Sequence, residues 1–214
     1  MARGKFISFE GGEGAGKSTQ LTRLAERLAE AGLKVVRTRE PGGTEGADAI
    51  RELLVTGATD RWDPMSEVLL NYAARRDHVE RVIKPALARG EWVVCDRFAD
   101  STMAYQGYGY GLGTELIETI HRATLDDFHT DMTIIMDFSP TEGLARARAR
   151  DPDPSRYERF DIAFHERLRA GFLAIAKSAP ERCLVLDAAG PIDQVADAVW
   201  QAVVDRLGAD GDLA

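Results

Sequence analysis

Disulfides, basic charge and long apolar runs are all scarce in this 214-residue chain, and each scarcity narrows what it does. There are two cysteines, Cys95 and Cys183, each beside an apolar run, so both are expected as core thiols and no disulfide framework exists. No CxxC or Cys/His spacing occurs, and His78, His121, His129 and His165 are scattered, which argues against a zinc module. Lys and Arg number 27 against 35 Asp and Glu, a formal net charge of −8. A nucleic-acid coat needs a basic face to displace counterions, so no nucleic-acid partner is expected. No apolar stretch approaches the roughly 20 residues of a membrane span, so no membrane partner is expected either. Residues 1–5 lead straight into a strand pattern with no signal-peptide signature, and a cytoplasmic location is the expectation.

The remaining composition is that of a globular domain, and the chain is long enough to bury a substantial core. Apolar runs at 5–9, 34–38, 92–95, 132–136 and 183–186 alternate with helical periodicity at 17–31, 47–55, 66–88, 114–125, 140–150, 161–176 and 191–207. That alternation predicts a parallel sheet with crossover helices, and the nearly unbroken apolarity of the runs predicts strands covered on both faces. Gly32 and Gly90 stand at C-cap positions, and Pro140 and Pro191 stand where a first helical turn tolerates proline. Two segments depart from the repeat: GYGYGLG at 107–113 reads as a flexible loop, and DPDPS at 151–155 interrupts an Arg-rich helical stretch. No repeat or linker divides the chain, so one domain over residues 1–207 is expected, with a frayed tail at 208–214.

Gly11-Gly12-Glu13-Gly14-Ala15-Gly16-Lys17-Ser18-Thr19 matches G-x-x-x-x-G-K-(S/T) between a strand and a helix. Glycines let successive backbone N–H groups turn onto an anion, and the helix N-terminus adds its dipole. Lys17 is expected on the β- and γ-phosphates of a nucleoside triphosphate, and the Ser18 hydroxyl on Mg²⁺. Such a site needs an acid at a neighbouring strand end. Asp96, closing the run Trp92-Val-Val-Cys95, supplies one, and Arg97 beside it has the fork to clamp phosphate oxygens.

Five segments in order resemble bacterial thymidylate kinases, a family of P-loop nucleoside monophosphate kinases. They are Glu10-Gly-Gly-Glu-Gly-Ala-Gly-Lys-Ser-Thr19, Thr38-Arg-Glu-Pro-Gly-Gly-Thr44, Asn71-Tyr-Ala-Ala-Arg75 (the family's F-x-A-x-R), Cys95-Asp-Arg-Phe98 and Asp100-Ser-Thr-Met-Ala-Tyr-Gln-Gly107. The resemblance implies a P-loop NTPase-type three-layer α/β fold with a five-stranded parallel sheet flanked by helices and a mobile lid at about 146–160. It also implies a homodimer, ATP and dTMP as substrates with Mg²⁺, and transfer of the γ-phosphate to dTMP, giving dTDP for dTTP synthesis. Apolar residues on the 66–88 helix suit a dimer face or packing on the sheet equally well. Two further readings stand beside this one: a P-loop kinase for another small acceptor, such as a different nucleotide, and a non-enzymatic nucleotide-binding module.

The acceptor is a phosphate monoester with a second pKa near about 6, so it needs no general base, and positive charge and positioning dominate. Arg39, Arg51 and Arg97 are the candidates for its phosphate, although Arg51 also reads as a solvated surface residue. By resemblance Glu13 faces the 3′-hydroxyl of the acceptor sugar, Pro41 follows a cis bond in the acceptor site, and Arg75, Ser101, Thr102 and Gln106 recognise thymine. Tyr105 packs near the sugar or belongs to the core. Asn71 stands where the family usually has a Phe that stacks on the base, so Tyr72 or another ring compensates or the base sits less tightly. Family members carry a catalytic arginine in the phosphate loop or in the lid. Ala15 occupies the loop position here, which moves the expectation to the lid, to Arg156 first and then Arg150 and Arg148, with Arg150 on ATP.

Overall fold

The computed structural model describes residues 3–150 and 155–208. Five strands, β1 (Phe6–Glu10), β2 (Val35–Arg39), β3 (Trp92–Asp96), β4 (Met132–Asp137) and β5 (Cys183–Asp187), form one parallel sheet in the order β2-β3-β1-β4-β5. The central strand β1 is buried throughout, whereas the edge strands β2 and β5 are half-exposed. Side chains alternate across the sheet, so Ile7 and Phe9 face one layer while Phe6 faces the other.

The helices are α1 (Lys17–Glu30), α2 (Glu45–Val55), α3 (Pro64–His78), α4 (Lys84–Ala88), α5 (Ala99–Thr102), α6 (Thr114–Leu125), α7 (Pro140–Arg150), α8 (Ile162–Ser178) and α9 (Ile192–Leu207). On one face, Leu21, Leu24 and Leu28 of α1 and Val195, Val199 and Val203 of α9 seal Ile7, Phe9, Ile134 and Met136. Each side chain buried in this way contributes about 1.5–3 kcal/mol. On the other face, α3, α4 and α6 cover Phe6, Val93 and Cys95, and α8 covers Ile135 and Cys183. Both thiols are buried, as expected.

Two expected elements differ from the sequence reading. The single helix at 66–88 starts earlier, at Pro64 behind the Asp63 cap, whose carboxylate accepts from Met65 N at 3.0 Å. It then widens into a π turn over Val79–Ile83 before α4. Pro85 follows directly; it has no N–H, and its ring collides with the carbonyl four residues back in a regular helix. The expected flexible loop at 107–113 is corrected over its first three residues, because Met103–Gly109 is a π-helical turn continuing α5, whereas 110–113 are irregular before α6. A Cβ on Gly109 would lie 2.8 Å from the Phe164 ring, so glycine there lets α8 approach. The centre of the expected lid, 151–154, and residues 209–214 of the expected frayed tail lie outside the described residues.

Candidate active site

A cleft of about 520 Å³ opens at the C-terminal ends of β1, β2 and β3. This is where parallel α/β sheets collect ligands. One side is the loop between β1 and α1. Gly11, Gly14 and Gly16 adopt φ of 128°, 67° and 85°, a region that favours glycine. Contact forbids a side chain as well, since a Cβ on Gly14 would stand 2.0 Å from Gly143 O and one on Gly143 2.2 Å from Glu13 O. Gly143 of α7 therefore sets the shape of this loop, a role the sequence did not reveal. Ala15 is buried, whereas Ser18 and Thr19 are exposed at the cleft.

Lys17 is buried and donates from Nζ to Gly12 O at 2.7 Å and Gly11 O at 3.2 Å. Burial, and then the charge of Arg97, bring its pKa down to about 8. Ser18 Oγ donates to Asp96 Oδ2 at 2.5 Å, so the two expected metal-holding oxygens meet. Among the described residues no group of three or more His, Cys, Asp or Glu is placed to hold a metal.

Arg97 follows β3 with φ +72°, a left-handed conformation that costs a non-glycine residue about 1–3 kcal/mol. Its backbone N donates to Phe9 O at 2.9 Å. Its side chain donates to Gly11 O (3.0 Å), Ser101 Oγ (3.1 Å) and Glu13 Oε1 (2.8 Å), and the Tyr105 hydroxyl donates to the same Glu13 oxygen at 2.6 Å. Burial alone pushes Glu13 upward; Arg97, Lys17 and the Tyr105 hydroxyl outweigh it and hold the carboxyl down at about 2. Glu10 lies beneath, fully buried, and accepts from Phe98 N at 2.7 Å and Ser101 Oγ at 2.5 Å. Burial and the nearby Asp100 push it up to about 8. Sequence reasoning gave Glu10 no role; an acid closing an otherwise apolar strand was the available signal.

Across the cleft, Arg51 donates to Pro41 O at 2.9 Å, and the Glu40–Pro41 bond is cis, as expected. Arg39 reaches Asp48 at 3.2 Å on an exposed rim. Burial, and then the charges of Arg39 and Arg97, lower the pKa of Arg51. Arg75 is 2% exposed and donates from Nε to Glu40 Oε2 at 2.7 Å and from Nη2 to Phe98 O (3.1 Å) and Thr102 Oγ1 (3.0 Å). Its Nη1 has no partner among the described residues. His78 Nδ1 lies 3.0 Å from Glu40 Oε1, and its Nε2 lies 2.7 Å from Thr38 Oγ1. Glu40 and His78 thus brace Arg75 from behind, which the sequence pattern did not disclose.

Gln106 and Asn71 line the cleft, and Asn71 turns its amide back to donate to Glu67 O at 2.9 Å. Tyr72 does not replace the missing ring, because it is buried against His121 and Arg75 and is absent from the cleft wall. Phe98 does line the cleft, with the Arg75 guanidinium 5.3 Å from its ring centre.

The lid arginine is placed otherwise than expected. Arg156 is fully buried, paired with Glu67, and donates to Leu54 O at 2.9 Å and Thr59 O at 2.8 Å. Its guanidinium is spent on the protein, and the residue is not part of the cleft wall. Arg146 and Arg150 of α7 are.

The family model described as thymidylate kinase matches residues 9–199. The chain is 57% identical over 208 residues to the thymidylate kinase of Caulobacter vibrioides, covering 97% of this chain and 100% of that protein. It is 46% identical over 205 residues to that of Magnetococcus marinus, covering 96% and 98%. The crystal structure of thymidylate kinase from Ehrlichia chaffeensis superposes with a TM-score of 0.74 at 37% identity, covering 94% of this chain and 99% of that one. The chain belongs to the thymidylate kinase family.

Proposed function

We propose that this protein transfers the γ-phosphate of ATP to dTMP, giving dTDP and ADP. The observation that carries the reading is a single cleft wall that brings Arg39, Arg51 and Arg97 together with Lys17 of the phosphate loop. These cations suit an anion, and a phosphate monoester dianion entering there would face the Lys17 end of the cleft. Bringing two anions together is the main obstacle to transfer, and these arginines with Lys17 answer it by charge and position. The acceptor oxygen is already ionised, so no base is required.

Glu13, held ionised between Arg97 and Tyr105, accepts from the sugar hydroxyl and repels an acceptor carrying a second phosphate. Arg75 Nη1 donates to a carbonyl of the base, and Ser101, Thr102 and Gln106 complete the wall. Pro41 and Asn71 border the same acceptor pocket. Arg146 and Arg150 reach the ATP side from α7 and take the role first assigned to Arg156. Ser18 and Asp96 are hard oxygen donors brought together at the cleft, which suits Mg²⁺, a cation usually held by few protein ligands and substrate phosphates. When bound, Mg²⁺ neutralises charge on the β- and γ-phosphates. A homodimer working in the cytoplasm completes the reading; among the described residues no helix is long and apolar enough to cross a membrane.

The test is ADP release with dTMP, dUMP, dCMP, dGMP and dAMP as acceptors. A clear preference for dTMP is expected, with turnover abolished in Lys17→Ala. Equal rates with all five would point instead to a kinase of another acceptor, a reading to which Asn71 in place of Phe lends some support.

A further inference from the structure

Glu67 lies outside the cleft wall, yet its carboxylate is fully buried in the first turn of α3. It receives donors from two other parts of the chain. Gln106 Nε2 donates at 2.6 Å and the Tyr110 hydroxyl at 3.4 Å from the turn that continues α5 and its end. The Arg156 guanidinium and the Tyr157 hydroxyl, the latter at 3.0 Å, donate from the second half of the expected lid. Arg156 N also donates to Val55 O at 3.0 Å, so the end of α2 is tied to the same point. Every group facing Glu67 is a donor. The carboxylate oxygens accept from all of them.

An acceptor-only partner decides how a neighbouring amide turns. Gln106 gives one N–H of its NH₂ to Glu67, which turns its carbonyl Oε1 away from that carboxylate. Gln106 is itself part of the cleft wall, among the residues assigned to the base. We infer that Glu67, locked by Arg156, is a positioning residue for base selection: it fixes the Gln106 amide so that a hydrogen-bond acceptor confronts the base. This inference rests on the dTMP kinase reading. Thymine offers an N3–H donor to that acceptor, whereas cytosine has a lone pair at N3 and meets Oε1 as acceptor against acceptor. Leaving buried polar groups mismatched is how such sites reject near-isosteres. The burial of Arg156 follows, since a buried carboxylate at Glu67 without its cation would be costly.

The experiment is calorimetric titration of wild type, Glu67→Gln, Gln106→Met and the double variant with dTMP and dCMP, alongside KM for ATP. A neutral amide at 67 no longer dictates which way Gln106 turns. Glu67→Gln is expected to reduce the dTMP-over-dCMP preference at least tenfold, with KM for ATP within twofold of wild type. In the Gln106→Met background the same change is expected to add no further loss. An unchanged preference in Glu67→Gln, or an equal loss in the Gln106→Met background, overturns the inference. If Glu67→Gln does not fold, Gln106→Met decides alone: full preference without the amide overturns the inference, and a tenfold loss supports it. A wild type that binds neither nucleotide fails the dTMP kinase reading itself, a separate result.

Discussion

Glu40 is the residue on which the acceptor pocket rests most heavily, and Glu40→Gln tests this with little change in shape. Arg75 and Glu40 are 2% and 3% exposed at the side chain, and the carboxylate also holds His78. Removing one partner of a buried pair strands the other charge and costs about 3–5 kcal/mol. The new amide still accepts one hydrogen bond, so the lower end, about 3 kcal/mol, applies. For a domain of this size each kcal/mol moves Tm by about 2–4 °C, which gives a fall of roughly 6–12 °C by scanning calorimetry. Arg75 Nη1 also loses its fixed direction. A hydrogen bond from a charged group is worth about 1.5–3 kcal/mol, so dTMP binding is expected to weaken roughly tenfold to a hundredfold. A Tm within about 2 °C of wild type would refute the reasoning, because the pair would then be worth no more than an exposed one.

Lys17 titrates at about 8, so it is charged below that pH and neutral above it. The ATP Kd measured by calorimetry should therefore rise between pH 8 and 9, with a proton taken up on binding at pH 8.5; constant affinity from pH 7 to 9 contradicts this. Glu10 has its native pKa raised to about 8 from an ordinary 4.5. The native state then keeps a proton that the unfolded chain releases, so the contribution of Glu10 is complete below pH 4.5 and is lost as pH rises through about 8. Urea midpoints of wild type and Glu10→Gln from pH 5 to 9 should show a steeper decline in wild type, and parallel curves would remove the assignment. Gly143→Ala drives a methyl group against Glu13 O, 2.2 Å away, and should raise KM for ATP at least tenfold by displacing the phosphate loop; an unchanged KM would show that α7 yields instead.

Much of the site was legible because backbone chemistry writes itself into spacing. The phosphate loop demands glycines where φ is positive, and Asp96 and Arg97 must follow a strand that ends in the cleft. The parallel sheet was visible in apolar runs between amphipathic helices. Long-range side-chain pairing was not legible. Nothing in the segment around Arg156 shows that it pairs with Glu67, 89 positions away, so its burial away from the cleft wall was not legible. The same blindness hid the bracing of Arg75 by Glu40 and the contact between Gly143 and the phosphate loop. GYGYGLG read as a loop because glycine lowers helix propensity, whereas Gly107 and Gly109 are there to admit neighbouring elements closely.

The central claim is that this cleft moves a phosphoryl group between two nucleotides. Incubation with γ-labelled ATP and dTMP, followed by separation of the products, tests it directly. The account predicts label in dTDP in equal amount to the ADP formed, and none there with Lys17→Ala. Label appearing only as inorganic phosphate, at a rate indifferent to dTMP, would contradict it.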